Sequence, residues 1–324
     1  MVKVKTMSWN FNDMREWIER VRRGDAPPLI ITVAITGGLQ GKELNPNLPE
    51  SPEEQAQQTY EAYKAGASMV HIHVRDPRTN YATPTSDPAQ IRLVNKKVRE
   101  LCPDIIINNS TGIGMYTSLE DRLKVLEADP EVASLNVGPV AWRTVLRRRE
   151  PLRKQDELVD NTWPPNFTWR EAEVLAKRML EKNVKPEFEV YQQGHFHVVY
   201  HLIENGLAKE PHLIQLVLGV PGGELPHYKN LINMLEHMPS NSIPFVIGIG
   251  PFQTPLVTMA IVMGLHVRVG MEDNVFYRRG ELAKSNAQLV ERVVRIANEV
   301  GRSVATPEEA RKMMGLPKEP KRYE

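Results

Sequence analysis

His71 and His73 stand two residues apart in Val70-His71-Ile72-His73-Val74-Arg75-Asp76, a stretch in which apolar and polar residues alternate. In an extended strand, residues i and i+2 project from the same face, so both imidazoles point the same way. Neutral imidazoles so placed can each give one nitrogen to a single metal ion. Taken alone, two polar residues at a strand end are the plainer reading. A catalytic zinc site needs about three protein ligands and an open position. Glu272, in Arg268-Val269-Gly270-Met271-Glu272-Asp273-Asn274, is the candidate third ligand, because the preceding glycine lets the backbone turn. The same Glu-Asp pair also reads as a solvated turn. Asp273 is a candidate general base. Arg268 within its strand requires a carboxylate partner, and Glu189 and Asp273 both qualify, either for catalysis or as a structural salt bridge.

Such groups need elements to hold them. Leu29 to Ile35 is a continuous apolar, β-branched run, as expected of a strand buried on both faces. After it a beat repeats. Ser51-Pro52-Glu53-Glu54 is a capping box with proline at the first helical position, and its helix runs to about Gly66. The His71/His73 strand follows, then a helix from about Pro88 to Leu101 and a third strand over Ile105 to Asn109. A helix from Ser118 to Ala128 leads to a fourth strand, Ser134 to Val137, and then to an irregular, basic segment. Thr168 to Glu171 opens another capping box and helix. Further strands are expected at Glu187 to Tyr191, Leu213 to Leu218, Phe245 to Ile249 and Val267 to Gly270, before capped helices near Ser285 and Thr306. Strands alternating with helices in this number predict a (β/α)8 TIM barrel over residues 29–324, with a doubly wound sheet as the alternative. Residues 1–28 read as an N-terminal helical extension, with Met14, Trp17, Ile18 and Val21 on one face. So short a helix is expected to pack on the barrel or on a partner subunit.

In a barrel the eighth strand closes beside the first, which brings Glu272 within reach of the histidines. Barrel active sites lie at the C-terminal strand ends, where this chain gathers Thr36, His71, His73, Ser110, Asn136, Glu189 and Arg268 to Asp273. The Gly219-Val220-Pro221-Gly222-Gly223 and Gly248-Ile249-Gly250 loops are candidate phosphate sites, although ordinary βα turns share that composition. Arg147-Arg148-Arg149, Arg153 and Lys154 read as a solvated basic face in preference to phosphate contacts. His195 is a candidate pocket residue and His197 a surface one.

Composition narrows the classes of function. Of 324 residues, 41% are apolar and 25% charged, and 41 Lys+Arg against 40 Asp+Glu leave a net charge of +1. No overall field argues for nucleic acid or membrane as a partner. A single cysteine, Cys102, excludes an internal disulfide, and no apolar run reaches membrane-spanning length. A cytoplasmic protein is the expectation.

From about Leu29 to Leu316 the chain resembles the β-keto acid cleavage enzymes. The motifs run in that family's order: Ile35-Thr36-Gly37-Gly38, His71-Ile72-His73, Ser110-Thr111-Gly112, Leu135-Asn136-Val137-Gly138, Pro186-Glu187-Phe188-Glu189-Val190, Gly219 to Gly223, and Gly270 to Asn274. The resemblance implies a zinc-dependent barrel that transfers an acyl group between a β-keto acid and acetyl-CoA, giving acetoacetate and a new acyl-CoA. It makes His71, His73 and Glu272 the zinc ligands. Asp273 becomes the base, paired with Arg268 and backed by Glu189, and Ser110 positions substrate. Thr111, Gly112, Ser134, Asn136 and Leu39 fall among the substrate-binding positions, and Gly219, Val220, Gly222 and Gly223 among those for acetyl-CoA. It also implies a homo-oligomer, a tetramer. Ser134 replaces a threonine and keeps the hydroxyl. Leu39 stands where the family member acting on an aminated keto acid has glutamate, so a substrate with a neutral or apolar tail is expected unless Gln40 meets a polar one. A metallohydrolase, a zinc-dependent aldolase and a catalytically silent barrel binding CoA esters are the competing readings.

Overall fold

The computed structural model describes residues 13–115 and 117–323. The expected extension therefore falls partly on residues 1–12, which lie outside the described residues. Helix α1 (Met14–Arg23) is capped by the Asp13 carboxylate, which accepts from the Arg15 and Glu16 N–H groups. None of its residues is buried, and Met14, Trp17, Ile18 and Val21 face outward.

The chain then alternates as the sequence predicts. Strand β1 (Ile31–Ala34) is followed by α2 (Pro52–Ala65), β2 (Met69–Ile72), α3 (Pro88–Leu101), β3 (Ile106–Asn109), α4 (Leu119–Leu126) and β4 (Val132–Asn136). Next come β5 (Val140–Leu146), β6 (Glu157–Trp163), α5 (Trp169–Glu181), β7 (Lys185–Val190), α6 (Phe196–Glu204), β8 (His212–Leu218) and α7 (Tyr228–Glu236). The chain closes with β9 (Ser242–Gly248), α8 (Gln253–Val262), β10 (His266–Val269), β11 (Phe276–Arg278), β12 (Glu281–Leu282), α9 (Asn286–Glu299) and α10 (Pro307–Met313). The capping box expected at Ser51 is formed, whereas at Thr168 only the half in which its hydroxyl accepts from the Glu171 N–H is made; the capped start expected near Thr306 closes as a full box. No helix among the described residues is long and apolar enough to cross a membrane.

The strands β1-β10-β9-β8-β7-β4-β3-β2 form a closed parallel barrel, the (β/α)8 architecture. Closure pairs Thr32 of β1 with Arg268 of β10 on one side and Ala34 with His71 of β2 on the other. At the N-terminal end, Ile30, Met69, Ile106, Val132, Leu213 and Phe245 pack together with Ala310 and Met313 of α10, which plugs the barrel. Two residues further along the same strands, the shared inner face carries Thr32, His71, Asn108, Ser134 and Gln215, all fully buried. An apolar floor thus underlies a polar layer, and the polar layer carries the site.

The segment after β4, expected to be irregular, is instead an antiparallel hairpin, β5 paired with β6 from Val140↔Trp163 to Leu146↔Glu157. The β-branched and aromatic residues of Val140 to Leu146 favour a strand, and the arginines after them obscure that signal. Arg149, assigned from sequence to a solvated face, is mostly covered: it reaches Glu43 at 3.0 Å and also pairs with Glu50, tying the hairpin tip to the loop after β1.

Candidate active site

His71 ends its run inside β2, and His73 lies one residue beyond the strand, yet their rings stay adjacent with centroids 5.3 Å apart. Glu272 comes from the far end of the chain. After β10 the backbone turns at Gly270 with φ 150°, where a Cβ would meet the Ala34 carbonyl oxygen at 2.0 Å, so only glycine fits. Glu272 N–H then donates to the same Ala34 carbonyl. That turn brings Glu272 Oε1 to 3.7 Å from His71 Nε2 and 3.4 Å from His73 Nε2. One ligand atom from each of the three residues falls within 4.8 Å of the others. Both nitrogens of His71, Nδ1 of His73 and Oε2 of Glu272 are buried without a hydrogen-bond partner, a costly state for polar atoms unless something binds them. Burial, with Arg268 nearby, holds the His71 imidazolium far below its ordinary pKa, so the ring is a neutral donor. Burial alone would raise the Glu272 carboxyl; Arg268 and the two imidazoles outweigh it and keep the group ionised.

Arg268 is the hub of the carboxylates. Its Nε donates to Asp273 Oδ2 at 3.0 Å and its Nη2 to Asp273 Oδ1 at 2.9 Å. The same Nη2 contacts Glu272, and Nη1 lies 3.8 Å from Glu189 Oε1. Both candidate partners for this arginine are therefore present, with Asp273 the tighter one. Burial pushes the Asp273 carboxyl up to about 6 against the pull of Arg268. Glu189 is also raised by burial, and it accepts hydrogen bonds from the Tyr191 hydroxyl at 3.1 Å and from Asn136 Nδ2.

Ser110, Gly112 and Leu39 line the same cleft as His73, Glu189, Arg268, Glu272 and Asp273, whereas Thr111, Ser134 and Asn136 do not. Ser134 lies behind Ser110, their hydroxyls 3.4 Å apart, and the Thr111 hydroxyl donates to the Ser134 carbonyl at 2.7 Å. Gln40 turns its amide toward the Glu272 carbonyl at 3.1 Å. Of the Gly219 to Gly223 loop, Val220 and Pro221 reach the cleft. The Gly219 N–H donates to the Glu224 carbonyl and the Gly223 N–H to that of Val220, so both are engaged within the loop. Gly250 N–H likewise donates to the Asp273 carbonyl at 2.8 Å. His195 is buried behind the cleft, its Nε2 3.2 Å from the Pro139 carbonyl, and burial pulls it down to about 4; His197 is exposed.

Some residues escaped sequence reasoning. The β5–β6 hairpin supplies Trp142 and Trp163, which stand edge-on to one another and, through Trp163, to Tyr191, making one wall of the cleft. Beneath the histidines, Asn108 Nδ2 and Gln215 Nε2 both donate to Glu187, at 2.7 and 2.6 Å, and Asn108 is the β3 neighbour of His71. The alternation Glu187-Phe188-Glu189 on a buried strand was the available signal.

Fold and site together define a TIM barrel whose C-terminal mouth gathers a two-histidine, one-carboxylate cluster beside an arginine-held acid. A model of the β-keto acid cleavage enzyme family matches residues 28–316. The chain belongs to that family. It is 41% identical over 292 residues to the 3-keto-5-aminohexanoate cleavage enzyme of Fusobacterium nucleatum, covering 90% of this chain and 98% of the relative. It is 31% identical over 299 residues to the 3,5-dioxohexanoate:acetyl-CoA acetone transferase of Paraburkholderia graminis, covering 89% and 96%. Among solved structures, the apo structure of ObcA superposes with a TM-score of 0.67 at 19% identity, over 84% of this chain and 66% of that one, a likeness of fold.

Proposed function

We propose that the protein is a zinc-dependent acyltransferase that converts a β-keto acid and acetyl-CoA into acetoacetate and a new acyl-CoA. The observation that carries this reading is the fork from Arg268 to Asp273, set beside the His71, His73 and Glu272 cluster at the floor of one cleft. The names of relatives that use acetyl-CoA with keto acids support it.

The unpartnered nitrogens of His71 and His73 and the free Glu272 oxygen are a donor set suited to a divalent ion such as zinc. When bound there, zinc supplies Lewis-acid polarisation of a keto oxygen, which acidifies the neighbouring α-carbon. Asp273 removes the α-proton, its carboxylate plane held by Arg268. The α-carbon of the resulting enolate bonds to the acetyl carbonyl carbon of acetyl-CoA, and the CoA thiolate leaves. The thiolate then attacks the original keto carbon, and the bond between that carbon and the α-carbon breaks. The acyl-CoA departs, and Asp273 returns its proton to the α-carbon of acetoacetate. Ser110 donates a hydrogen bond to substrate oxygen, with Ser134 behind it fixing its rotamer. Leu39 on the cleft wall, with the amide of neighbouring Gln40 engaged by the Glu272 carbonyl, suits a keto acid whose tail is neutral or apolar.

The test is a coupled assay of purified, metal-analysed protein with acetyl-CoA and a panel of β-keto acids. Acetoacetate forms only with both reactants, and Asp273→Asn lowers kcat at least about a thousandfold while metal content stays stoichiometric. Bound metal with no acetoacetate from any keto acid would instead bring forward a hydrolase or an aldolase.

A further inference from the structure

The cleft encloses about 1300 Å³, above the roughly 300–1,000 Å³ of ordinary small-molecule pockets and far more than a short keto acid fills. Its deep end holds Asp273, Arg268, Glu272 and His73, with His71 buried next to them. Its mouth is different in chemistry. Arg143 of β5 and Arg147 just after it line one side, and Arg278 at the end of β11 and Arg279 in the turn to β12 line the other. Phe276, 43% exposed, lies beside the second pair. The glycine loops that usually cradle phosphate in barrels have the N–H groups of Gly219, Gly223 and Gly250 already engaged.

Resting on the acyl-transfer reading above, we propose that the β11–β12 turn is the nucleotide subsite for acyl-CoA, with the phosphates on Arg278 and Arg279 and the adenine stacked on Phe276. Guanidinium groups match phosphate geometry, and an exposed phenyl face accepts a base without regard to its hydrogen-bonding edge. Among the described residues Arg279 makes no ion pair, and the Arg278 pair with Glu281 is largely solvated, so neither contact opposes phosphate strongly. Reach is consistent as well. Arg278 lies five positions after Asp273, at most about 18 Å of extended chain, and a pantetheine arm of a dozen bonds spans about 15 Å. A thioester whose nucleotide rests on this turn therefore delivers its acetyl group to the side chain that deprotonates the keto acid.

Calorimetry on the metal-loaded protein tests the assignment, using CoA, 3′-dephospho-CoA, 3′,5′-ADP and inorganic phosphate as separate ligands. CoA affinity is expected to fall about tenfold or more in Arg279→Glu and in the Arg278→Ala, Arg279→Ala double variant, and about five- to tenfold in Phe276→Ala. The ratio of kcat/KM for acetyl-CoA over that for the acetyl thioester of N-acetylcysteamine, which lacks the nucleotide, falls by a similar factor. Arg170→Ala, an exposed charge at the start of α5, serves as the control and keeps wild-type affinity. Binding of 3′,5′-ADP with the same losses supports the subsite, whereas inorganic phosphate binding as tightly as CoA overturns it, since the turn would then be a general anion site. Unchanged CoA affinity in these variants with turnover intact overturns the subsite and leaves the acyl-transfer reading standing. Losses as expected without any acetoacetate formed overturn that reading and keep the subsite. A wild-type protein that binds no CoA overturns both.

Discussion

Arg268 grips Asp273 with two parallel contacts, Nε to Oδ2 at 3.0 Å and Nη2 to Oδ1 at 2.9 Å, and both side chains are almost fully buried. A fork of this kind fixes the plane of the carboxylate as well as its position. Glu272 and Glu189 crowd the same guanidinium, so one positive charge serves three carboxylates. That imbalance, with burial, is why Asp273 sits at about 6 and not deep in the acid range.

As the proposed base, a carboxyl raised to about 6 must be deprotonated to act. The rate constant kcat/KM is therefore expected to fall about tenfold per pH unit below that value and to level off above it. Arg268→Lys keeps a charge but loses the fork, so kcat drops by about a hundredfold and the acid limb moves to higher pH. A pH–rate profile of the two proteins checks both statements; an unmoved limb would mean that another group is the base.

Metal binding should register as stability. His71, His73 and Glu272 leave buried donor atoms unsatisfied, and an ion that binds only the folded chain stabilises it by about 2.7 kcal/mol at a hundredfold excess over Kd. Zinc added to chelator-treated protein is expected to raise Tm and to bind once per chain. Glu272→Gln removes a charged ligand and should weaken binding at least about a hundredfold, measured by competition with a chromogenic chelator.

Glu187 offers a pH signature that does not depend on turnover. Burial between Asn108 and Gln215 raises its folded pKa from 4.5 to about 7. From 4.5 upward the unfolded chain loses this proton while the folded chain keeps it. Stability is full below about 4.5 and declines as pH rises toward 7, by about 2–3 kcal/mol. Unpartnered Asn108 Oδ1 and Gln215 Oε1 are available to accept from the protonated acid. Glu187→Gln is expected to flatten this slope and to be the more stable protein at pH 8, read from urea midpoints at pH 5 and pH 8.

On the proposed reading, Leu39 faces the tail end of the keto acid. Leu39→Glu places a carboxylate on the cleft wall, and kcat/KM is expected to shift about tenfold or more toward a keto acid with an ammonium tail. Parallel assays with a neutral and a cationic keto acid measure the ratio; clear wild-type preference for the cationic substrate would sink the neutral-tail reading.

Much of this protein is local and could be read from residue order. Strand runs, the capping box at Ser51, the capped start at Thr306, the shared face of His71 and His73, and the glycine before Glu272 all follow from backbone geometry over a few residues. The order of these elements implies the barrel, because only closure buries every strand. Tertiary structure decided who meets whom. Arg268 turning toward the nearby Asp273 and away from the distant Glu189 depends on how the chain folds after β10, while Arg149 reaching Glu43 and Glu50 about a hundred residues back, and Glu187 joining Asn108 from β7 to β3, are contacts between distant segments. Their partners depend on strand register and closure, which no short-range pattern encodes. The same holds for the hairpin of β5 and β6: its strands have modest local signals, and only packing against Tyr191 and the loop after β1 turns a basic stretch into a wall of the cleft.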